Sequence, residues 1–284
     1  MKIAITGGGG LVGRFVVEAA LARGDQVCHL GRRLPADGFF SGPVEHCPYA
    51  LGDAPDLSGF DAVVHCAFSH VPGRYRGGEG DDPQGFARKN LDGTVRLFGA
   101  AKACGVNRMF FLSSRAVYGN FSDGTPLSEN MEPRPTTLYG EVKHLAEQEL
   151  AALSDDRFHG YALRATGIYG PAGPGQLHKW ADLFADFTQG RAIKPRKGTE
   201  VHGDDLASAI YTLMDAKPGP YNLSDFVLDR HDLLAEVAKL TGCTHPLPAR
   251  AEGDVNVMTT DRIRALGWQP GGLAKLHADL PKML

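Results

Sequence analysis

Tyr139 and Lys143 stand four residues apart in Tyr139-Gly140-Glu141-Val142-Lys143, and Ser114 precedes them on the chain. On a helix, residues at that spacing share a face, so both side chains can point into one cavity. A tyrosine hydroxyl is a poor base at neutral pH, because its ordinary pKa is about 10. A permanent cation beside it favours the phenolate and brings the group toward the working range. A serine hydroxyl at the same point can hold a carbonyl or alcohol oxygen. The trio suits proton transfer while a cofactor moves a hydride. With eight tyrosines in the chain, the spacing alone equally describes a surface helix with an exposed Tyr and Lys. The reading therefore depends on the elements around it.

Those elements begin almost at the first residue. Lys2-Ile3-Ala4-Ile5-Thr6 predicts a short buried strand, followed by Gly7-Gly8-Gly9-Gly10-Leu11-Val12-Gly13 and an apolar helical run from Leu11 to near Arg23. Strand, glycine loop and helix in that order are the context of a dinucleotide-binding fingerprint. Gly10 and Gly13 let the backbone approach a pyrophosphate and let the helix pack close to the strand. The helix start supplies free N–H groups and a favourable dipole. Gly7, Gly10, Leu11, Val12 and Gly13 are thus the expected cofactor-binding positions. The next strand, Gln26 to Leu30, should end where a NAD-specific protein places an acidic residue, about 20 residues after the glycines. Here Gly31 is followed by Arg32 and Arg33. A missing carboxylate and two guanidiniums suit a 2′-phosphate, which favours NADP over NAD; the plain alternative is a solvated arginine pair.

A second α/β series follows. Val44-Glu45-His46-Cys47 reads as a strand with Gly52-Asp53 after it, and Asp61 to Ala67 is a clear apolar strand entered by an acidic residue. Phe68 to Pro83 is rich in Gly, Pro, Arg and Asp without periodicity, and is expected to be a long loop beside the cofactor. Arg74, Tyr75 and Arg76 within it suit either an anionic substrate or a solvated tip. Phe86 to Ala103 carries a helical pattern through Leu91, Val95, Leu97, Phe98 and Ala101, closed by Gly105. Arg108 to Ser113 is the next strand. Ser114 then falls at its C-terminal end, where open parallel sheets bind ligands.

The 284 residues suit one large domain, or a domain with a smaller lobe. A formal net charge of -3 gives no global attraction to nucleic acid or anionic membranes. The five cysteines show no Cys-x-x-Cys spacing or zinc-ligand pattern, so reduced thiols and no metal are expected. No stretch approaches the roughly 18 apolar residues of a membrane span, and the apolar start is too short for a signal segment. A soluble cytoplasmic protein acting on a small molecule is the expectation.

Taken in order, these pieces resemble the extended short-chain dehydrogenase/reductase family, also called the NAD-dependent epimerase/dehydratase family. The resemblance rests on the stretch Thr6 to Gly13, Gly52-Asp53, His65-Cys66-Ala67, Asn90 to Thr94, Ser113 to Gly119 and Tyr139 to Lys143. It continues through Leu163 to Pro171, Val201 to Leu206 and Leu266 to Pro270. It implies a Rossmann-type doubly wound parallel sheet with a small mixed C-terminal substrate lobe. It implies that Tyr139 is the acid/base, that Lys143 binds the nicotinamide ribose and lowers the tyrosine pKa, and that Ser114 holds the reacting oxygen. Asp53 would lie near the adenine, with Cys66, Ala67, Phe68 and Ile168 also along the cofactor. A homodimer through the helices at about 86–103 and 137–152 is implied as well, with Val142, Leu145 and Leu150 suiting either that interface or the core.

Departures from the family pattern narrow the chemistry. The family's dehydratases place an Asp-Glu pair directly after the catalytic Ser/Thr; here those places are Arg115 and Ala116. Many nucleotide-sugar enzymes place an arginine two residues before the aromatic of an "aromatic-Val-His-Val-Asp-Asp" stretch. Here those positions are Gly198 and Glu200, although Arg196 or Lys197 could substitute. Asp204-Asp205 reads as a helix N-cap. Arg115, Arg74 and Arg196 are the candidate ligands for an anionic substrate; Arg115 could instead depress the Tyr139 pKa or turn outward.

From Ala172 onward the strand–helix alternation fades. Helices are expected at Gln176 to Thr188, Gly203 to Asp215, Asp229 to Thr241, Thr259 to Leu266 and Leu273 to Leu280, with a strand at Pro220 to Leu223. The expected division is a dinucleotide-binding domain over 1–171, rejoined by 203–223, and a substrate lobe of 172–202 and 224–284. The leading functional expectation is an oxidoreductase moving a hydride between NAD(P) and a ketone or secondary alcohol of a sugar-like or acidic molecule. The alternatives are a nucleotide-sugar epimerase that retains its cofactor and a non-catalytic NADP-binding redox sensor.

Overall fold

The computed structural model describes residues 1–71, 78–122 and 124–284. Strand β1 (Lys2–Thr6) is buried over four of its five residues, as a parallel strand covered on both faces must be. The chain continues through α1 (Leu11–Ala22), β2 (Gln26–Gly31), β3 (Glu45–Pro48), β4 (Ala62–His65), α2 (Pro83–Ala103), β5 (Arg108–Ser114), α3 (Leu138–Leu153) and β6 (His159–Ala165). Then come β7 (Gly167–Tyr169), α4 (Ala181–Thr188), β8 (Lys197–His202), α5 (Gly203–Thr212) and β9 (Gly219–Leu223). The last elements are β10 (Phe226–Asp229), α6 (Arg230–Thr241), α7 (Asp261–Arg264) and α8 (Gly272–Asp279).

The main sheet has the order β3-β2-β1-β4-β5-β6-β9, with every neighbouring pair parallel. The chain runs outward from β1 to β3, then crosses to β4 on the other side of β1 and runs outward again. The reversal opens a crevice at the C-terminal ends of β1 and β4, where such sheets receive ligands. Side chains alternate between two cores, as strand geometry requires. Ile3, Ile5, Val64 and Phe110 face α1 and α5, whereas Ala4, Val63, Met109 and Phe111 face α2 and α3. The fold is the doubly wound parallel sheet that the sequence predicted. A smaller mixed sheet, β10-β8-β7, joins β8 parallel to β7 and antiparallel to β10. Trp180, Phe184, Leu234 and Leu276 pack around it in a third core.

Several element boundaries differ from the expected ones. Helix α4 starts at Ala181 rather than Gln176, because the preceding residues make other bonds. Gln176 donates from Nε2 to the Gly9 carbonyl (2.8 Å), and the next residue, Leu177, is 75% exposed. Helix α5 is capped not by Asp204-Asp205 but by His202, whose Nδ1 accepts the Asp204 N–H (3.0 Å). Asp205 instead accepts the Gly271 N–H on its carboxylate (3.0 Å), and its carbonyl accepts the Trp268 indole N–H (2.8 Å). Helix α7 covers only Asp261–Arg264, ended by the left-handed turn at Gly267 (φ 95°). Of the apolar residues considered for a dimer face, Val142 and Leu150 are buried and only Leu145 is exposed. All five cysteines are free. Among the described residues no helix is long and apolar enough to cross a membrane.

Candidate active site at the sheet crevice

Gly10 caps α1 without a side chain. Arg14 is the first residue of the helix to reach a carbonyl of the loop, donating to Gly10 O (3.1 Å). The N–H groups of residues 11–13 therefore face out of the helix start, as an anion site requires. Gly7 has a left-handed φ of 68°, and a Cβ there would lie 2.8 Å from the Ala67 nitrogen. A Cβ on Gly13 would run into the Gly7 carbonyl. The loop thus lies directly against the chain leaving β4, and its outward N–H groups fit the pyrophosphate of a dinucleotide.

The floor of the crevice is braced by a buried network. Thr6 Oγ1 accepts the Ala67 N–H (3.1 Å) and bonds His65 Nδ1 (2.6 Å), while His65 Nε2 bonds Thr94 Oγ1 (2.9 Å). Burial, and secondarily the charge of Lys143, push His65 down to about 3, so its ring is neutral. Asn90 fixes the next residues, accepting the Ser69 N–H (2.7 Å) and donating to the Ser69 and Phe86 carbonyls (2.8 and 3.0 Å).

Ser114 ends β5 beside Ala165 of β6. Its Oγ accepts the Ala116 N–H (3.1 Å), capping a single 3-10 turn over Arg115–Tyr118. Helix α3 starts directly against that turn. Thr137 caps it through the Gly140 N–H (3.1 Å), and Gly140 lies so near the Ala116 carbonyl that a Cβ would collide with it. Only glycine at that position lets the segment carrying Tyr139 approach the end of β5.

Lys143 is buried and donates from Nζ to the Leu112 carbonyl (2.6 Å). The ammonium lies over Phe68 (4.4 Å) and Phe111 (4.6 Å) and 5.9 Å from the Tyr139 ring centroid. Phe68 meets the Tyr139 ring edge-on at 5.2 Å. Burial pulls Lys143 down to about 7, against the opposing pull of Glu147. The expected permanent cation is therefore a lysine that gains and loses its proton near neutrality, because three rings replace the water around it. Cys66 is pushed up to about 12 by the same burial and remains a thiol.

The other anticipated positions fall as follows. Arg32 and Arg33 are exposed beyond the end of β2, and among the described residues neither is paired with a carboxylate. Asp53 closes its own turn, accepting the Ala50 N–H (2.6 Å). Ile168 sits in β7 opposite Val201. Arg115 turns toward the C-terminal segment, donating from Nε to the Asn256 carbonyl (3.3 Å). Arg196 is exposed at the entrance to β8, its carbonyl accepting the Arg230 N–H (2.9 Å). Arg74, with Tyr75 and Arg76, lies outside the described residues.

Three contributions escaped the sequence reading. Phe111 looked like any core residue of β5, and no local signal aims its ring at Lys143. Gln176 ties the chain leaving β7 to the glycine loop. Gly167 makes room for an ion pair between Lys179 and Glu200, since a Cβ there would overlap the ammonium; the glycine in an otherwise bulky stretch was the available signal.

Comparison with known proteins agrees with this geometry. The chain is 27% identical over 320 residues to a UDP-glucose 4-epimerase of Streptomyces lividans, covering 95% of this chain and 91% of that protein. It is 25% identical to UDP-glucuronic acid decarboxylase 1 of Arabidopsis thaliana, covering all of this chain and 69% of the relative. Among solved structures, Thermus thermophilus UDP-glucose 4-epimerase in complex with NAD superposes with a TM-score of 0.75 at 24% identity, covering 95% of this chain and 94% of that one; at that identity the likeness speaks for the fold. The sequence model of the NAD dependent epimerase/dehydratase family matches residues 3–224, which is nearly the span from β1 through β9. With the glycine loop, the Tyr139–Lys143 helix and the parallel sheet all in place, the chain belongs to that family, the extended short-chain dehydrogenase/reductases, and is an enzyme of their NAD(P)-dependent type.

Proposed function

We propose that the protein catalyses reversible hydride transfer between a nicotinamide dinucleotide and a secondary alcohol or ketone of a sugar-like or acidic substrate. The carrying observation is the placement of Lys143 among Phe68, Phe111 and Tyr139 on the helix packed against the end of β5. A bound nicotinamide supplies the hydride donor or acceptor. Tyr139 takes the hydroxyl proton from the substrate oxygen during oxidation and returns one during reduction. Ser114 steadies that oxygen, and protonated Lys143 holds the ribose and favours the Tyr139 phenolate. Ala67 and Phe68 line the cofactor's path, with Asp53 toward the adenine and Ile168 toward the nicotinamide. Without carboxylates at positions 115 and 116, nothing directly after Ser114 serves an elimination of water.

Arg32 and Arg33, beyond the end of β2 and without carboxylate partners there, support NADP over the NAD bound by the solved relative. NADPH should bind more tightly than NADH; the reverse order of dissociation constants overturns this preference. The relatives' names point to nucleotide sugars and sugar acids as the compounds to screen, with Arg115 and Arg196 as candidate anion ligands. The epimerase named among the relatives supports a second reading, in which the cofactor stays bound and the hydride returns to the same substrate. Stoichiometric net oxidation of NADPH would exclude it. We further infer the lobe division at 171, 203 and 223, a cytoplasmic location, and a homodimer through α2 and α3.

The decisive variant is Tyr139→Phe. It should lower turnover by about 10²–10⁴ while the fold and dinucleotide binding persist. Activity within a few-fold of the parent removes Tyr139 from the chemistry.

A further inference from the structure

One turn beyond Lys143 on α3, the Glu147 carboxylate is buried in a set of fully specified bonds. Arg164 of β6 donates from Nε to both carboxylate oxygens (3.1 Å each) and from a terminal nitrogen to Oε2 (2.7 Å). The Ser113 hydroxyl donates to Oε1. The remaining arm of Arg164 donates to the Tyr118 hydroxyl (3.0 Å), which donates to Asn222 Oδ1 (2.8 Å). Asn222 in turn donates to the carbonyls of Leu127 (2.9 Å) and Thr259 (3.0 Å). The network therefore joins the residue before Ser114, the turn after it, the helix of Tyr139 and Lys143, and the strands β6 and β9.

A buried Arg–Glu pair is roughly neutral in stability against apolar residues of the same volume, because desolvation cancels its attraction. Its geometric precision is a different matter: a fork bonded on both arms admits one orientation. The groups acting on Lys143 are Tyr139 and Glu147 from its own helix, Cys66 and His65 from β4 and its continuation, and the Leu112 carbonyl of β5. Cys66 is a thiol and His65 is neutral, whereas both Glu147 oxygens are bonded to the Arg164 fork.

We propose that Glu147 is the positioning residue of this site: through Arg164 and Ser113 it sets α3 against the strand ending at Ser114, and its charge keeps Lys143 protonated for the cofactor. The inference rests on the nicotinamide-dependent reading above. It is tested by titrating NADPH and NADH binding against pH, by fluorescence, in the full-length protein and in Glu147→Gln, Glu147→Asp and the pair Glu147→Leu/Arg164→Met. In the parent, binding should weaken as pH rises through the Lys143 titration. In Glu147→Gln the midpoint should fall by about one pH unit, and Glu147→Asp should retain the parent midpoint. Should Glu147→Gln fail to fold around an unpaired Arg164, the apolar pair keeps the volume; its midpoint should still fall, but by less, because the Arg164 charge leaves with the carboxylate. An unchanged midpoint in a folded variant lacking the carboxylate overturns the inference while leaving the cofactor reading intact. A parent protein that binds neither dinucleotide overturns both.

Discussion

The ion pairs Arg164–Glu147 and Lys179–Glu200 are built differently. Arg164 and Glu147 are 5% and 7% exposed, and the guanidinium is bonded along two arms. Lys179 and Glu200 sit opposite Gly167 at 23% and 13% exposure. Burial works against the charge of Arg164, but the bonds to Glu147 outweigh it and hold Arg164 above its ordinary value. At the second pair burial wins on both sides, lowering Lys179 and raising Glu200. A planar fork can repay desolvation through several bonds at once, whereas an ammonium making one close contact cannot. The first pair is a fixed joint behind the candidate catalytic helix; the second is a polar contact at the smaller sheet that a proton can remodel.

The sharpest way to break that contrast is Arg164→Met. It leaves Glu147 buried without a cation and should cost about 3–5 kcal/mol in denaturant unfolding; a loss below about 1 kcal/mol would erase the distinction. Lys143 provides an intermediate case, a buried cation whose ammonium donates to a carbonyl rather than to a carboxylate. Its pKa is depressed to about 7 from an ordinary 10.5, so the folded state binds fewer protons than the unfolded chain across that window. Its contribution to stability is present above the ordinary value and is lost as pH falls through the folded one. The melting temperature of the cofactor-free protein should therefore rise from pH 7 into the alkaline range, and Lys143→Met should flatten that rise. Lys179→Met should have the smallest effect, roughly 1–2 kcal/mol at neutral pH, because Glu200 can take up a proton. As the Glu200 carboxyl is raised above its ordinary value, the loss should shrink on acidification and grow as pH rises through its folded value. A pH-independent loss would show that this pair, too, is permanently charged.

Much of the site was legible because its signals are local. The glycine loop announces itself by composition, the parallel strands by apolar runs, and Tyr139 and Lys143 by a helical repeat. What was illegible depends on contacts across the fold. Phe111 and Lys143 meet only because β5 and α3 pack together, and Glu147 meets Arg164 only because α3 packs against β6. The misplaced start of α4 has the same origin: apolar spacing suggested a helix from Gln176, but that side chain is committed to the Gly9 carbonyl. The expected acidic cap of α5 failed for a local reason, since His202 offers its ring nitrogen two residues before Asp204.

The strand β9 carries a consequence for biosynthesis. It completes the main sheet by pairing with β6 from Tyr161↔Gly219 to Ala165↔Leu223, yet the ribosome delivers it only after β7, α4, β8 and α5. A nascent chain that has reached Ala165 holds six of the seven strands and a bare row of backbone donors and acceptors beside Ala165, the partner of Ser114. Such an edge invites pairing with other chains. Synthesis of the intervening segment is thus an interval during which the growing protein is most exposed to aggregation, and it ends when Leu223 clears the ribosome.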